Sequence, residues 1–299
     1  MDVKKKEGRN FVLSGREYEG YKWFKPLLLI LLTAVFFAVL FGFVVLAAIL
    51  AGQMTGVSPA AILSGNSGGY DNIDMYSPVG AIMNIGSIAV SLLAFFLATL
   101  VVRYRSFGTY QSVTGKWRMR HFLIYFAIGL IIVALPLIIR SFIEGEVTGQ
   151  IHFTVAGFII CVVLGFFQCC AEEHIFRGLL MQTFGGWTRI TIVAIILQAV
   201  PFALIHPYNL TGKISVLLSG ILMGVMVYFT GGLEASCAYH ILNNVTLYIT
   251  SGFGVQTVAT NLKITDLLTD ILIQGVFIAV TAFLARKING KTTVEYPKE

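Results

Sequence analysis

The sequence has little charge. Of 299 residues only 12% are Asp, Glu, Lys or Arg while 57% are hydrophobic, and the mean hydropathy is +0.82. A water-soluble domain with an ordinary polar surface is excluded by that balance. The first 25 residues lack the cleavable apolar core of a signal peptide, so the basic N-terminus is expected to stay in the cytosol. Four cysteines occur, Cys161, Cys169, Cys170 and Cys237, all inside apolar runs and none in a CxxC pair. Neither a disulfide scaffold nor a cysteine zinc site fits them, and they read as small core residues. The HExxH pairing of zinc peptidases is absent as well. Although the net charge is +6, the basic residues lie between apolar runs rather than on one stripe, which speaks for membrane orientation and against a nucleic-acid partner.

What is present is a series of apolar runs at about 26–51, 79–102, 122–139, 151–184, 190–205, 214–229, 233–250 and 267–284. Most are long enough to cross roughly 30 Å of hydrocarbon as helices. They predict an all-α, polytopic membrane protein with about eight transmembrane helices. Residues 52–78 contain Asp71 and Asp74 but no Lys or Arg, whereas Arg103, Arg105, Lys116, Arg118 and Arg120 follow the second run. By the positive-inside rule the first of these loops faces outward and the second faces the cytosol. The acidic loop with Glu144 and Glu146 then faces outward, and Arg286, Lys287, Lys291 and Lys298 put the C-terminus inside with the N-terminus. The chain divides on this reading into a basic N-terminus (1–25), N-terminal transmembrane helices (26–145), a transmembrane core (146–290) and a cytoplasmic tail (291–299).

The core is organised around Glu172, Glu173 and Arg177, charged residues set in an apolar stretch. Charge in lipid is costly and marks a functional site by default. Glu173 and Arg177 are four apart and share a helix face, where they can pair; Glu172, roughly 100° away, has no intrahelical partner. Two further pairs have the same spacing, Phe202 with His206 and His240 with Asn244. If Gly185 and Gly186 mark the tip of an antiparallel helical hairpin, Glu172 and His206 lie within about two turns of the same depth. His240 and Asn244 lie roughly 10 to 17 Å into the seventh helix. A polar cavity open to the cytosol is expected. His174 reads as a satisfied core histidine, Gly220 and Gly224 as a GxxxG for close packing within the chain, and Tyr18, Tyr21, Trp23 and Phe24 as an interfacial anchor.

Taken in order, Glu172-Glu173-x-x-x-Arg177, Phe202-x-x-x-His206 and His240-x-x-x-Asn244 resemble the motifs of the intramembrane proteases that include the CAAX prenyl endopeptidases and the bacteriocin-processing and immunity (Abi) proteins. The resemblance implies an intramembrane endopeptidase acting on a peptide or membrane-protein substrate. Hydrolysis needs a base for water and donors for the oxyanion. Glu172 with His206 is the candidate for the first role, Glu173 with Arg177 for orienting the site, and His240 with Asn244, as the resemblance implies, for the second. A zinc ion held by Glu172, His206 and His240 competes with this account, although Asn244 is a poor zinc ligand and the metal-free version is favoured. Two other functions stand beside it. One is a catalytically silent membrane protein for bacteriocin immunity or regulation of a sensor; the other is a proton-coupled transporter, disfavoured because no second motif-bearing half is present.

Overall fold

The structure is a computed structural model and describes residues 10–64, 73–145, 147–256 and 262–288. Lys4, Lys5, Lys6, Arg9, Asp71, Glu146, Lys291 and Lys298 lie outside the described residues. Among the described residues there is no strand, and eight long helices follow one another: α1 (Lys25–Thr55), α2 (Pro78–Val102), α3 (Met119–Glu144), α4 (Val155–Thr188), α5 (Thr191–Leu204), α6 (Leu210–Thr230), α7 (Glu234–Gly252) and α8 (Ile264–Ile288). The apolar runs therefore became helices at the expected places, as an all-α membrane protein requires.

Six of the eight are long and apolar enough to cross a membrane: α1, α2, α3, α4, α6 and α8. The eight-span expectation differs at the two that remain, for separate reasons. The helix α5 has 14 residues, roughly 21 Å, and falls short of the roughly 30 Å hydrocarbon layer. In α7 the length is sufficient, but Glu234, His240, Asn243 and Asn244 make it polar. It tolerates them because it runs through protein rather than lipid: every residue from 234 to 242 is buried.

Local signals set the ends of these helices. Pro26 sits in the first turn of α1, and Gly56 closes it in the left-handed conformation. Thr154 and Asn209 accept from the backbone N–H of Gly157 and Gly212 and so cap α4 and α6. Three helices contain a π-wound stretch, and in α4 it covers His174–Leu180, directly after the two glutamates. Such stretches occur frequently at functional sites.

Hydrogen bonds identify which loops share a face. At one end Arg118 donates to Glu234 and to the Thr230 carbonyl, Val113 N donates to Gly231 O, Asn10 to Thr191, and Trp187 to the Trp23 carbonyl. Residues 10–24 are folded onto this end of α4: Phe11 and Val12 are buried, and Ser14 donates to Gln182. Arg105 is buried there among Tyr18, Tyr104 and Tyr110 and donates to Gln182. Burial pushes the Tyr110 phenol far above its ordinary pKa, so it stays neutral beside the cation. At the opposite end His152 meets Asp74, His152 N donates to Gly252 O, and Asn209 donates to the Leu262 carbonyl.

The main core is built from α3 to α8 together with Phe11 and Val12. Placed by the sequence with the first two spans, α3 packs its Gly129 against Leu242 of α7 and Phe277 of α8. Smaller clusters tie α1 and α2 to the outside of this core.

Candidate active site

Glu173 and Arg177 meet as the spacing predicts. Arg177 Nη1 donates to Glu173 Oε1 at 3.0 Å, and both side chains are fully buried. The same oxygen accepts from His240 Nδ1 at 2.9 Å, which links the motifs of α4 and α7 through one atom. The guanidinium carbon lies 4.2 Å from the centre of the Phe202 ring, and Arg177 Nη2 donates to the Gly220 carbonyl at 3.4 Å. A desolvated pair of this kind holds its geometry because losing either member strands the other charge.

Why the backbone of α6 comes so near is explained by the glycines. A Cβ on Gly220 would lie 3.0 Å from that of Ala199, and one on Gly224 would lie 3.0 Å from Ile195 Cγ2. The GxxxG thus packs α6 against α5 within the chain, leaving the Gly220 carbonyl open to Arg177 and to Gln198 Nε2, at 2.9 Å. Gln198 carries no motif, and only its place opposite Gly220 reveals it.

His206 follows the end of α5. Its Nδ1 lies 2.7 Å from the Phe202 carbonyl, and since a carbonyl only accepts, Nδ1 carries the proton. Neutral His206 therefore presents a bare Nε2. The ring is held edge-on by Phe202, 4.8 Å between centroids, and covered by Tyr208 at 5.8 Å. Phe202 also packs on Phe176 at 4.9 Å, so the aromatic residue of its motif joins α4 to α5. Sequence reasoning missed Tyr208, which carries no spacing signal.

His240 stands between two carboxylates. With Nδ1–H directed at Glu173, its Nε2 lies 3.2 Å from Asn244 Nδ2 and 3.3 Å from Glu172 Oε2. The neutral ring accepts from Asn244, and a doubly protonated ring donates from Nε2. Asn243 Nδ2 donates to Asn244 Oδ1 at 3.0 Å, which turns the amide N–H₂ of Asn244 toward the histidine. Asn243, like Gln198, was invisible to spacing. The pairing of Glu172 with His240 is also new, for the hairpin estimate had placed Glu172 with His206.

His206, Tyr208, His240, Asn243 and Asn244 line a cavity of about 600 Å³ between α3, α5, α6, α7 and the start of α8. Glu172, Glu173 and Arg177 lie behind this lining, at 5%, 0% and 0% exposure. Glu172 Oε2, Glu173 Oε2, Arg177 Nε and Gln198 Oε1 are buried without a hydrogen-bond partner among the described residues. Buried polar atoms are normally paired, so the gathering of these unbonded atoms behind the cavity lining singles out this part of the core. Among the described residues no three His, Cys, Asp or Glu side chains are arranged to hold a metal ion. The set Glu172, His206 and His240 does not form such a shell.

The remaining histidines and cysteines take no part. His174 Nδ1 donates to the Cys170 carbonyl at 2.7 Å, its Nε2 accepts from Gln111 at 3.2 Å, and its ring stacks on Phe107 at 5.3 Å. It is a fully satisfied core histidine. Cys169 and Cys170 are buried, and Cys169 Sγ points at the His240 carbonyl.

The cavity opens at one end of the molecule. Its rim is formed by Arg140, Glu144, Gln256, Lys263, Asp266 and Asp270, at the end of the molecule opposite the basic loops. The hairpin reading expects an opening on the side of the α4–α5 tip, whereas the rim lies at the other end, beyond the short α5.

A family model described as Rce1-like, type II CAAX prenyl endopeptidase, matches residues 154–246. The matched segment runs from the cap of α4 into α7 and includes Glu172, Glu173, Arg177, His206, His240 and Asn244. No curated protein and no solved structure matches the chain. The match covers about a third of the chain and falls on the segment that carries the three motifs, so this segment of the multi-pass membrane protein is similar to the Rce1-like type II CAAX prenyl endopeptidases.

Proposed function

We propose that the chain is a membrane-embedded endopeptidase that hydrolyses peptide or membrane-associated protein substrates with water activated by its own side chains. The observation that carries this reading is the cavity that brings His206, His240 and Asn244 together over a buried Glu172 only 3.3 Å from His240 Nε2. Water reaching the site gives its proton to Glu172, with the bare Nε2 of His206 accepting from the same water. The oxygen attacks the scissile carbonyl carbon, and the developing oxyanion is held by Asn244 Nδ2–H and by Nε2–H of doubly protonated His240. Glu173 fixes the orientation of His240 through Nδ1, and Arg177 neutralises Glu173. Collapse of the tetrahedral species sends the proton from Glu172 to the leaving amine.

No step in this scheme needs an ion, and the metal-free version is the one proposed. The core that performs it is assigned to 146–290, with the packing of α3 included. A prenylated C-terminus, a leader peptide and a pheromone precursor are the substrate candidates. Purified protein in detergent, incubated with each and analysed by mass spectrometry, tests the reading. Cleavage at one site, lost in Glu172→Gln, is the expected result. Absence of cleavage for all three classes would favour a silent membrane partner.

A further inference from the structure

We infer that the candidate site is reached from the side of the membrane opposite the cytosol, and that its substrates are peptide segments presented on that outer side. The direction of access rests on packing and charge alone; the substrate half rests on the peptidase reading given above.

Two faces of the molecule are defined by direct contacts. The face formed by residues 10–24, the α2–α3 loop, the α4–α5 tip and the α6–α7 turn carries Arg16, Lys22, Arg103, Arg105, Lys116, Arg118 and Arg189, and α8 ends there with Arg286 and Lys287. The other face, where the α3–α4, α5–α6 and α7–α8 connections meet, carries far less positive charge. Its Arg140 is already paired with Glu144 and Asp266. Short loops rich in Lys and Arg remain in the cytosol, so the first face is the inner one.

The lining of the cavity belongs to the other face. Arg140 and Glu144 end α3, Tyr208 lies in the α5–α6 connection, Lys263 precedes α8, and Asp266 and Asp270 start it. None of its described lining residues comes from the α2–α3 loop, the α4–α5 tip or the α6–α7 turn. The physical cause is the length of α5, which ends roughly 9 Å short of crossing the hydrocarbon and leaves His206 at the base of an opening. Irregular backbone at that depth is tolerated where it lines a polar cavity.

Toward the inner face the site is closed. Between His240 and the cytosol lie the buried Arg118–Glu234 pair and the His174 ring stacked on Phe107 and Trp117. Gln111 seals the edge of that stack by donating to His174. A cytosolic peptide tail would have to displace buried charge and packed aromatic rings, whereas from the outer side an open rim leads to His240 and Asn244.

Single cysteines test the assignment, because the four native ones are buried and give a low background. Ser219→Cys places a thiol in the cavity, Thr265→Cys one on its rim, and Lys116→Cys one on the basic face. Intact cells of a bacterial host are treated with a membrane-impermeant sulfonated thiol reagent. Ser219→Cys and Thr265→Cys should label about tenfold above wild type, and Lys116→Cys only after permeabilisation, if the basic face is cytosolic. The reverse pattern, labelling of all three, or labelling of none would overturn the inference. Peptide cleavage by the purified protein is measured in parallel. The expected labelling with no cleavage, alike in wild type and Glu172→Gln, would leave the direction of access standing and overturn the substrate half with the peptidase reading.

Discussion

Two buried carboxylate–guanidinium pairs occupy different levels of this molecule, and they differ in what they leave unsatisfied. Between α3 and α7, Glu234 Oε1 accepts from Arg118 N and Nε, each at 2.9 Å, and Oε2 accepts from Nη2 at 2.5 Å. Nη2 reaches the Thr230 carbonyl as well. In the interior, Glu173 gives one oxygen to both Arg177 and His240, while its other oxygen and Arg177 Nε have no hydrogen-bond partner among the described residues. The first pair closes on itself and locks three chain segments; the second lies behind the lining of a cavity and keeps hydrogen-bonding capacity unused. Burial of charge alone therefore says little about role, and the degree of satisfaction distinguishes a clamp from a site.

The largest effect that would break this contrast is expected at Glu172. Glu172→Gln keeps the shape and removes the base, so peptidase activity should fall by roughly a thousandfold while the melting temperature and detergent-solubilised yield stay near wild type. Equal loss of fold would place Glu172 with the clamp. Removing one member of either pair should cost about 3 to 5 kcal/mol of stability, but with different consequences for the molecules that still fold. Arg118→Ala is expected to lower abundance with turnover per folded molecule retained, and Arg177→Ala to lower both. Active-site titration alongside yield separates the two.

A smaller loss is expected on the donor side: Asn244→Ala should lower turnover about a hundredfold with little change in KM, because the oxyanion exists only in the transition state. Gly220→Ala sharpens the packing half of the comparison. Its Cβ would crowd Ala199 at 3.0 Å and cost about 1 to 3 kcal/mol, read as a lower melting temperature. The smallest effect concerns metal: dialysis against a strong chelator should leave most of the peptidase activity in place. Stoichiometric zinc with activity that follows its removal and return would put His206 and His240 into a ligand shell and overturn the metal-free scheme.

Much of this was present in one dimension. Apolar runs reported the helices because lipid-facing segments must satisfy their backbone internally, and length and hydropathy follow from that requirement. Helical spacing reported the Glu173–Arg177 pair and the face shared by His240 and Asn244, since residues four apart are neighbours on any helix. The low exposure of His174 and of the cysteines was likewise legible from their apolar surroundings. Tertiary packing alone decided the rest. That His240 rather than His206 lies beside Glu172 depends on the approach of α7 to α4, and no spacing within either helix encodes it. Asn243, Tyr208 and Gln198 act through neighbours dozens of residues away or through the turn of a single amide. The direction in which the cavity opens was set by α5 stopping short while α6 and α8 run on. Periodicity measures which residues share a face, but not which helix that face meets or where an opening is left between helices of unequal length.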